Sequence, residues 1–246
     1  MMQDVIIIGG SYSGMAAGLQ LLRAHKHVTI IDAGERRNRF SDHSHGFLGQ
    51  DGASAAEIAL NARRQLEAYP TLSWREGRAV TISGEKDDFT VTAADGEACH
   101  GRRVLLATGV ADQLPEISGL AERWGKSVFH CPYCHGYELG KGQIGVIATG
   151  PMSTHQAEIV SEWGEVTFLT NNAVVLDADT RSALEKRGIG IEPAGIDRIE
   201  GTAEIVLANG QRLDFAGLFT APHCVPATPL AEETGCDLEE TMMGIQ

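Results

Sequence analysis

The stretch FHCPYCHGYE contains two cysteines, Cys131 and Cys134, separated by two residues, and His135 directly follows the second. The thiolate is the reactive form of cysteine, and two sulfurs at this spacing can act as an attacking and a resolving thiol. At a helix N-terminus, free N–H groups lower the pKa of such a thiol. The pattern therefore predicts a redox dithiol, with His135 placed to exchange the proton that moves with the electrons.

Glu138 and the remaining cysteines bear on which chemistry the motif serves. Glu138 lies three residues after His135 and is predicted either to orient that ring or to be a solvated surface acid. A structural zinc site needs four ligands, usually from two pairs, and Cys99, Cys224 and Cys236 form no second C-x-x-C. A glutaredoxin-like fold would place CPYC just after its first strand, whereas 130 residues precede the motif here. No metal is expected, and these three cysteines are predicted to be ordinary core or surface residues.

The composition argues against several classes of function. The chain has 246 residues with 33 acidic and 20 basic side chains, and its formal net charge of −13 argues against a nucleic acid or an anionic membrane as partner. No run of eighteen apolar residues is present, and the N-terminus lacks the basic region of a secretory signal. A cytoplasmic location is expected. In that reducing compartment a C-x-x-C pair is more often catalytic or metal-binding than structural.

The start of the chain has the order of a dinucleotide-binding β-α-β unit. Residues 4–9 form an apolar strand, a loop follows through Gly14, and a helix through about Ala24 leads to a second strand that ends at Asp32. Gly9 allows the sharp turn, Gly14 lets helix and strand pack closely, and the helix N-terminus offers N–H groups to a pyrophosphate. The Asp32 carboxylate, 23 residues after Gly9, can accept hydrogen bonds from ribose hydroxyls. The alternative is a packed turn without a ligand.

The second half of the chain repeats this unit with poorer nucleotide-binding residues. The strand at 143–148, the loop to Ser153 and the strand at 166–170 have the same spacing, and Asn171 lies 23 residues after Ala148. Asn171 stands where the first unit has its acid, and Ala148 and Ser153 stand where two loop glycines would be. Binding of NADP or NAD is therefore predicted to be weak. A duplicated domain without a ligand is the alternative.

The remaining elements complete an α/β fold of two Rossmann-like domains with parallel sheets and small β-meanders. Ser54 and Glu57 form a capping box, which predicts the start of a long helix. The expected domains are a first nucleotide-binding domain at 1–112, a central domain with the dithiol at 113–222, and a return into the first domain at 223–246.

Four stretches together resemble a known family. They are IIIGGSYSGMAAG at 6–18, SHGFLGQDG at 44–52, LLATGVADQLPEISGL at 105–120 and CPYCHGYE at 131–138. Over essentially its whole length the chain resembles the thioredoxin-reductase type of FAD-dependent pyridine nucleotide-disulfide oxidoreductase. Within that type it is most similar to the flavoproteins that include the gliotoxin and holomycin dithiol oxidases. Thioredoxin reductases proper have Asp after the second cysteine, whereas this chain has His135, as that branch does.

The resemblance implies FAD on the first unit and a homodimer. It implies that Cys134 is the sulfur that faces the flavin and that Cys131 exchanges with substrate. Val80 is expected near the adenine, residues 107–109 near the pyrophosphate, and His45 on the flavin side. The residues implied in FAD binding are Gly9, Ser11, Tyr12, Ser13, Gly14, Asp32, Ala33, His45, Val80, Ala107, Thr108 and Gly109.

Three functions follow from the sequence, and the direction of electron flow separates the first two. In the first, a small dithiol reduces the Cys131–Cys134 pair, the pair reduces FAD, and oxygen or another acceptor takes the electrons. In the second, an NAD(P)H-dependent thioredoxin reductase, the dithiol reduces thioredoxin or a similar protein. The third is a non-enzymatic flavin-binding redox sensor. In the family a late Gly-Asp pair and a helix bind the ribityl chain, and no Gly-Asp follows Pro222. Either the tail is missing from this sequence, which we expect, or the protein has lost part of its flavin site.

Overall fold

Two α/β units follow one another in the structure, a computed structural model that describes residues 2–241 and 244–245. The first unit consists of β1 (Val5–Ile8), α1 (Tyr12–Arg23), β2 (Val28–Asp32), a 3-10 turn (Arg37–Phe40), α2 (Ala55–Glu67), β3 (Leu72–Glu76), β4 (Ala79–Glu85), β5 (Asp88–Ala93), β6 (Ala98–Gly101) and β7 (Val104–Leu106). Strands β3, β2, β1 and β7 form a parallel sheet in that order. Strands β4, β5 and β6 form a separate antiparallel sheet.

The central strand β1 is apolar at every position because both of its faces are covered. Ile7 packs with Met15 and Leu22 of α1 in one core cluster, and Ile6 and Ile8 lie in another. Burial of each isoleucine side chain contributes about 1.5–3 kcal/mol. This core fixes α1 on β1, and it thereby fixes the glycine loop between them.

The predicted capping box is present at the start of α2. The backbone N–H of Glu57 donates to Ser54 Oγ at 3.1 Å, and the backbone N–H of Ser54 donates to Glu57 Oε2 at 3.3 Å. These two bonds satisfy N–H groups that have no partner within the helix. The prediction of a long helix from this position is confirmed.

The second unit has the same plan around a larger sheet. It consists of β8 (Val110–Gln113), a 3-10 turn (Ala121–Arg123), β9 (Val128–Phe129), α3 (Pro132–His135), a 3-10 turn (Tyr137–Leu139), β10 (Gln143–Ile147), α4 (Met152–Val160), β11 (Glu165–Leu169), α5 (Ala178–Lys186), β12 (Gly190–Glu192), β13 (Ile196–Glu200), β14 (Glu204–Leu207), β15 (Arg212–Asp214) and β16 (Gly217–Thr220). Strands β12, β11, β10, β16 and β9 form a parallel sheet in that order, and β13 to β15 form a small antiparallel sheet. The predicted fold class is confirmed.

A strand pair lies where the chain enters and leaves the second unit. Strand β8 pairs antiparallel with β17 (His223–Pro226), near both boundaries predicted for the central domain. The chain continues through α6 (Leu230–Glu233), β18 (Glu240–Thr241) and β19 (Gly244–Ile245). Leu230 packs with Ile6 and Ile8, so the chain returns to the first unit. Within residues 2–241 and 244–245, no helix has the length and apolar character needed to cross a bilayer.

Candidate active site

The dithiol lies at the carboxyl end of β9, the edge strand of the second parallel sheet. Cys131 is the N-cap of α3 and Pro132 follows inside the first turn, so the predicted helix start is correct, although the helix is only four residues long. Gln156 of α4 donates from Nε2 to the carbonyl oxygen of His130 at 3.0 Å and anchors the strand end. Both thiols are free and partly buried.

The two thiols have different acidities. The pKa of Cys131 is lowered to about 6, mainly because the Cys134 thiol donates a hydrogen bond to its sulfur. The backbone N–H groups of Cys134 and Tyr133, and the charge of His130, act in the same direction. The same contact, together with burial, raises the pKa of Cys134. Near neutral pH, Cys131 is therefore the thiolate and Cys134 keeps its proton, which supports Cys131 as the sulfur that exchanges with substrate.

This difference predicts the pH profile of alkylation in the reduced protein. The rate at which iodoacetamide modifies Cys131 should rise about tenfold per pH unit below pH 6 and level off above about pH 7, since only the thiolate reacts. Free cysteine, with a pKa of about 8.5, should still be accelerating there. Peptide mass spectrometry at each pH would resolve the sites. A Cys134 rate equal to that of Cys131 at pH 6.5 would contradict the assignment.

His135 is held between an aromatic ring and a loop of the first unit. Its ring stacks on Phe129, with centroids 4.3 Å apart, and its Nε2 lies 3.0 Å from Ser41 Oγ. Burial lowers the pKa of His135, and the nearby charge of Glu138 partly opposes that effect. A lowered pKa leaves the ring neutral near pH 7, so His135 can accept a proton there.

Glu138 contacts a different histidine from the one expected. Its Oε1 lies 3.6 Å from Nε2 of His45, whose Nδ1 lies 3.6 Å from Oδ1 of Asp51. The reason is local: α3 ends at His135, and the 3-10 turn that follows takes Glu138 off the helical face. Glu138 therefore acts on His135 through its charge and does not hold the ring by a direct bond.

A cavity of about 330 Å³ joins the dithiol to the first unit. Cys131, Cys134 and His135 line one side, and Ser11 and Tyr12 of the first glycine loop line another. A smaller cavity of about 230 Å³ adjoins Cys134, and its lining includes Tyr12, Ser41, His45 and Phe47. The predicted residues Tyr12 and His45 are thus brought together with the second sulfur.

A third cavity, of about 380 Å³, lies at the carboxyl ends of β1 and β2. Asp32 stands at its edge, where its Oδ1 accepts from the backbone N–H of Gly10 at 3.1 Å. Six of the residues implied in FAD binding line it: Gly9, Ser11, Asp32, Ala33, Ala107 and Thr108. The place where sheet strands end beside a glycine loop is where this kind of fold binds dinucleotides.

Of the other six implied residues, Tyr12 and His45 line the cavities beside the dithiol, and the remaining four line none of these three cavities. Gly14 lets α1 approach the glycine loop closely, because a Cβ there would lie 1.9 Å from the carbonyl oxygen of Gly9. Ser13 is in the first turn of α1, and Gly109, with a left-handed φ of 71°, lies in the link between β7 and β8. Val80 is 41% exposed, and the lining is formed instead by Gly77, Arg78 and Ala79, just before it. The adenine position at Val80 stays a prediction.

Arginines that sequence reasoning missed also line this cavity. Arg36, Arg37 and Arg39 belong to the stretch RRNR, three basic residues within four in a chain of net charge −13, and that density was the available signal. Arg37 is held by Asp112, with bonds of 3.0 Å from Nε and 2.5 Å from Nη2. Arg36 Nε is buried and has no hydrogen-bond partner among the described residues. An unpartnered guanidinium N–H beside the glycine loop fits the diphosphate of FAD.

In the corresponding loop of the second unit, a side chain of the loop itself occupies the backbone N–H groups. The Ser153 hydroxyl, fully buried, accepts from the backbone N–H of Thr149 at 2.9 Å and of Gly150 at 3.3 Å. Asn171 Oδ1, at the position of the missing acid, accepts from the backbone N–H of Ile196 at 2.9 Å. The groups that would meet a pyrophosphate and a ribose are therefore bonded within the protein.

Comparisons with known proteins agree with this geometry. The family described as pyridine nucleotide-disulphide oxidoreductase matches residues 3–243. A solved oxidoreductase from Agrobacterium tumefaciens is 52% identical, with a TM-score of 0.97 over 100% of this chain and 83% of that one. Thioredoxin reductase tcpT of Claviceps purpurea is 38% identical over 61% of this chain, and thioredoxin reductase aclD of Aspergillus oryzae is 35% identical over 74%. The chain spans 47% of tcpT and 61% of aclD.

Proposed function

The chain belongs to the pyridine nucleotide-disulphide oxidoreductase family, and from that premise we propose that it is a dithiol oxidase. In this proposal a homodimer with FAD in the first unit oxidises a small dithiol at Cys131 and Cys134. Proteins of the thioredoxin-reductase type use FAD, and the arginines and glycine loop of the first cavity suit its diphosphate. FAD, when bound, takes two electrons from a dithiol and passes them to an acceptor, for which we propose O2.

The observation that carries the proposal is the hydroxyl of Ser153. It occupies the two backbone N–H groups of the second glycine loop that a nicotinamide dinucleotide would need for its phosphates. The only basic residue in the ten positions after Asn171 is Arg181, whose Nη1 lies 3.8 Å from Oε1 of Glu185. A 2′-phosphate would have no other side-chain cation on this segment. Electrons are therefore proposed to enter from the dithiol side.

The two cysteines have separate tasks in this direction. A substrate thiolate attacks Cys131 in the Cys131–Cys134 disulfide, the S–S bond breaks, and Cys134 leaves with the electron pair and takes up a proton. The second substrate thiol then attacks its own mixed disulfide and releases Cys131. The low pKa of Cys131 makes it a good leaving group. For the whole cycle, R(SH)2 and O2 become RS2 and H2O2.

A thioredoxin reductase is the second candidate, and the relatives favour it. Both curated relatives are called thioredoxin reductases, and proteins of that type draw electrons from NADPH. In that direction Cys131 would attack the disulfide of a thioredoxin-like protein. Tyr133 and Tyr137, 72% and 85% exposed beside the motif, would offer contact area to such a partner.

Anaerobic flavin bleaching separates the two candidates. The protein as isolated with FAD should lose its flavin absorbance near 450 nm within seconds of adding dithiothreitol under argon, and it should keep that absorbance with NADPH or NADH. The reason is that the dithiol route is open while the second loop is closed by Ser153. Rapid bleaching by NADPH would overturn the oxidase proposal in favour of the reductase. Bleaching by neither would identify a flavin-binding sensor.

A further inference from the structure

Ser41 forms a hydrogen-bonded bridge between the two units at the dithiol. It lies on the segment after the 3-10 turn of the first unit, and His135 ends α3 of the second. Its Oγ lies 2.8 Å from the backbone carbonyl oxygen of His43 and 3.0 Å from Nε2 of His135. Ser41 could not be singled out before the structure was known, because its partner is 94 positions away along the chain.

The protons of this bridge can be counted. A hydroxyl has one proton, and a carbonyl oxygen can only accept, so the Ser41 proton is directed to His43. Ser41 Oγ can then only accept from His135, which places the ring proton on Nε2. Nδ1 is left with its lone pair. That atom is buried and has no hydrogen-bond partner among the described residues.

We propose that Ser41 is a positioning residue that keeps the His135 proton on Nε2, so that Nδ1 is the atom that takes the proton of the Cys134 thiol. This rests on the proposed dithiol chemistry, in either direction of electron flow. The Cys134 S–H bond breaks, an Nδ1–H bond forms, and the electron pair stays on sulfur as the thiolate. His135 and Cys134 line the same two cavities, so the proton moves within one enclosed space.

Burial has the largest effect on the ring and lowers the pKa of His135, so the resting ring is neutral. The carbonyl of Cys131 favours the protonated ring, and so does the carboxylate of Glu138, whereas burial and the charge of His45 favour the neutral ring. Without Ser41 the Nε2–H group loses its acceptor, and a neutral ring can instead carry its proton on Nδ1. Such a ring has no free lone pair toward the thiol and would be a poor base.

Histidine tautomers can be read directly by long-range 15N–1H NMR on protein labelled at histidine. We expect His135 of the wild type above pH 7 to show a protonated Nε2 and an unprotonated Nδ1. In Ser41→Val that pattern should reverse. Threonine is nearly isosteric with valine but keeps the hydroxyl, so Ser41→Thr should show the wild-type pattern. A His135→Asn sample assigns the signals, and Ser83→Ala, an exposed site on β4, is the control. An unchanged tautomer in Ser41→Val would overturn the proposal.

A kinetic readout completes the test. The rate of flavin bleaching by dithiothreitol should fall about tenfold or more in Ser41→Val and Ser41→Ala, and it should recover in Ser41→Thr, since general-base catalysis is worth about 10²–10⁴. Equal loss in Val and Thr variants would indicate packing alone and would also overturn the proposal. The NMR result needs no substrate. If dithiothreitol failed to bleach the wild type while the tautomer pattern held, the dithiol oxidase would be wrong and the placement of the ring proton would stand.

Discussion

Replacing Cys134 with serine is expected to lower dithiol turnover by about a thousandfold or more while leaving a Cys131 thiolate that a disulfide reagent can trap. The pKa of Cys131 is about 6 in the wild type, and a serine hydroxyl at position 134 can donate in place of the thiol, so Cys131 should still present a thiolate at pH 7. It can attack the S–S bond of 5,5′-dithiobis(2-nitrobenzoate), which releases one thionitrobenzoate and leaves the other on Cys131 as a mixed disulfide that no second sulfur resolves. Losses of this size are typical when one member of a group that acts as a unit is removed. Turnover is followed by oxygen uptake, and the trapped species by intact-protein mass spectrometry after 5,5′-dithiobis(2-nitrobenzoate).

Cys131→Ser gives the matched comparison. It should lose turnover to the same extent yet trap little at pH 7, because the pKa of the remaining Cys134 is raised by burial. Cys236→Ser changes an exposed thiol on the chain after α6 and should keep wild-type turnover. If Cys134→Ser retained turnover within threefold of wild type, the electron route through this sulfur would be wrong. If Cys131→Ser were the better trap, the two roles would be exchanged.

The parts of the fold that sequence revealed are those with a local cause. The apolar run at β1 reflects burial on both faces, and the Ser54–Glu57 capping box is formed by residues three apart. The two glycine loops are visible for the same reason, because turn geometry and helix packing depend on a few adjacent residues. The family resemblance was predicted from such stretches, and the match over residues 3–243 confirms it.

The parts that sequence missed depend on contacts between distant segments. The short β6, with the sequence ACHG, lacks an apolar pattern and gains its place through pairing with β5 and contact with the segment of β1. Helical spacing gave Glu138 two alternatives, orienting His135 or being a solvated acid, but a helix of four residues has no second turn to enforce that spacing. Ser41 of the first unit contacts His135 of the second, and the Ser153 hydroxyl occupies the backbone N–H groups of its own loop. None of these follows from residue type or separation alone.

Gly14→Ala is expected to weaken the binding of FAD, although the change adds only one methyl group and Gly14 does not line the cavity. The new Cβ would lie 1.9 Å from the carbonyl oxygen of Gly9 and 3.3 Å from Cγ2 of Ile7, so α1 must move away from β1. Such overpacking costs about 1–3 kcal/mol, and each 1.4 kcal/mol lost from FAD binding weakens it about tenfold. We expect FAD per chain after gel filtration to fall about tenfold. The melting temperature should drop by roughly 2–4 °C for each kcal/mol.

The second glycine loop supplies the control for this result. A Cβ at Gly150 meets no atom within 4 Å, so Gly150→Ala should keep both the FAD content and the melting temperature of the wild type. FAD content separates a local from a global effect, because a destabilised but folded Gly14→Ala would lose cofactor before it loses circular dichroism. Full FAD content in Gly14→Ala would mean that the close approach of α1 to β1 does not shape the cavity. Equal loss in both variants would mean that FAD depends on the second unit as much as on the first.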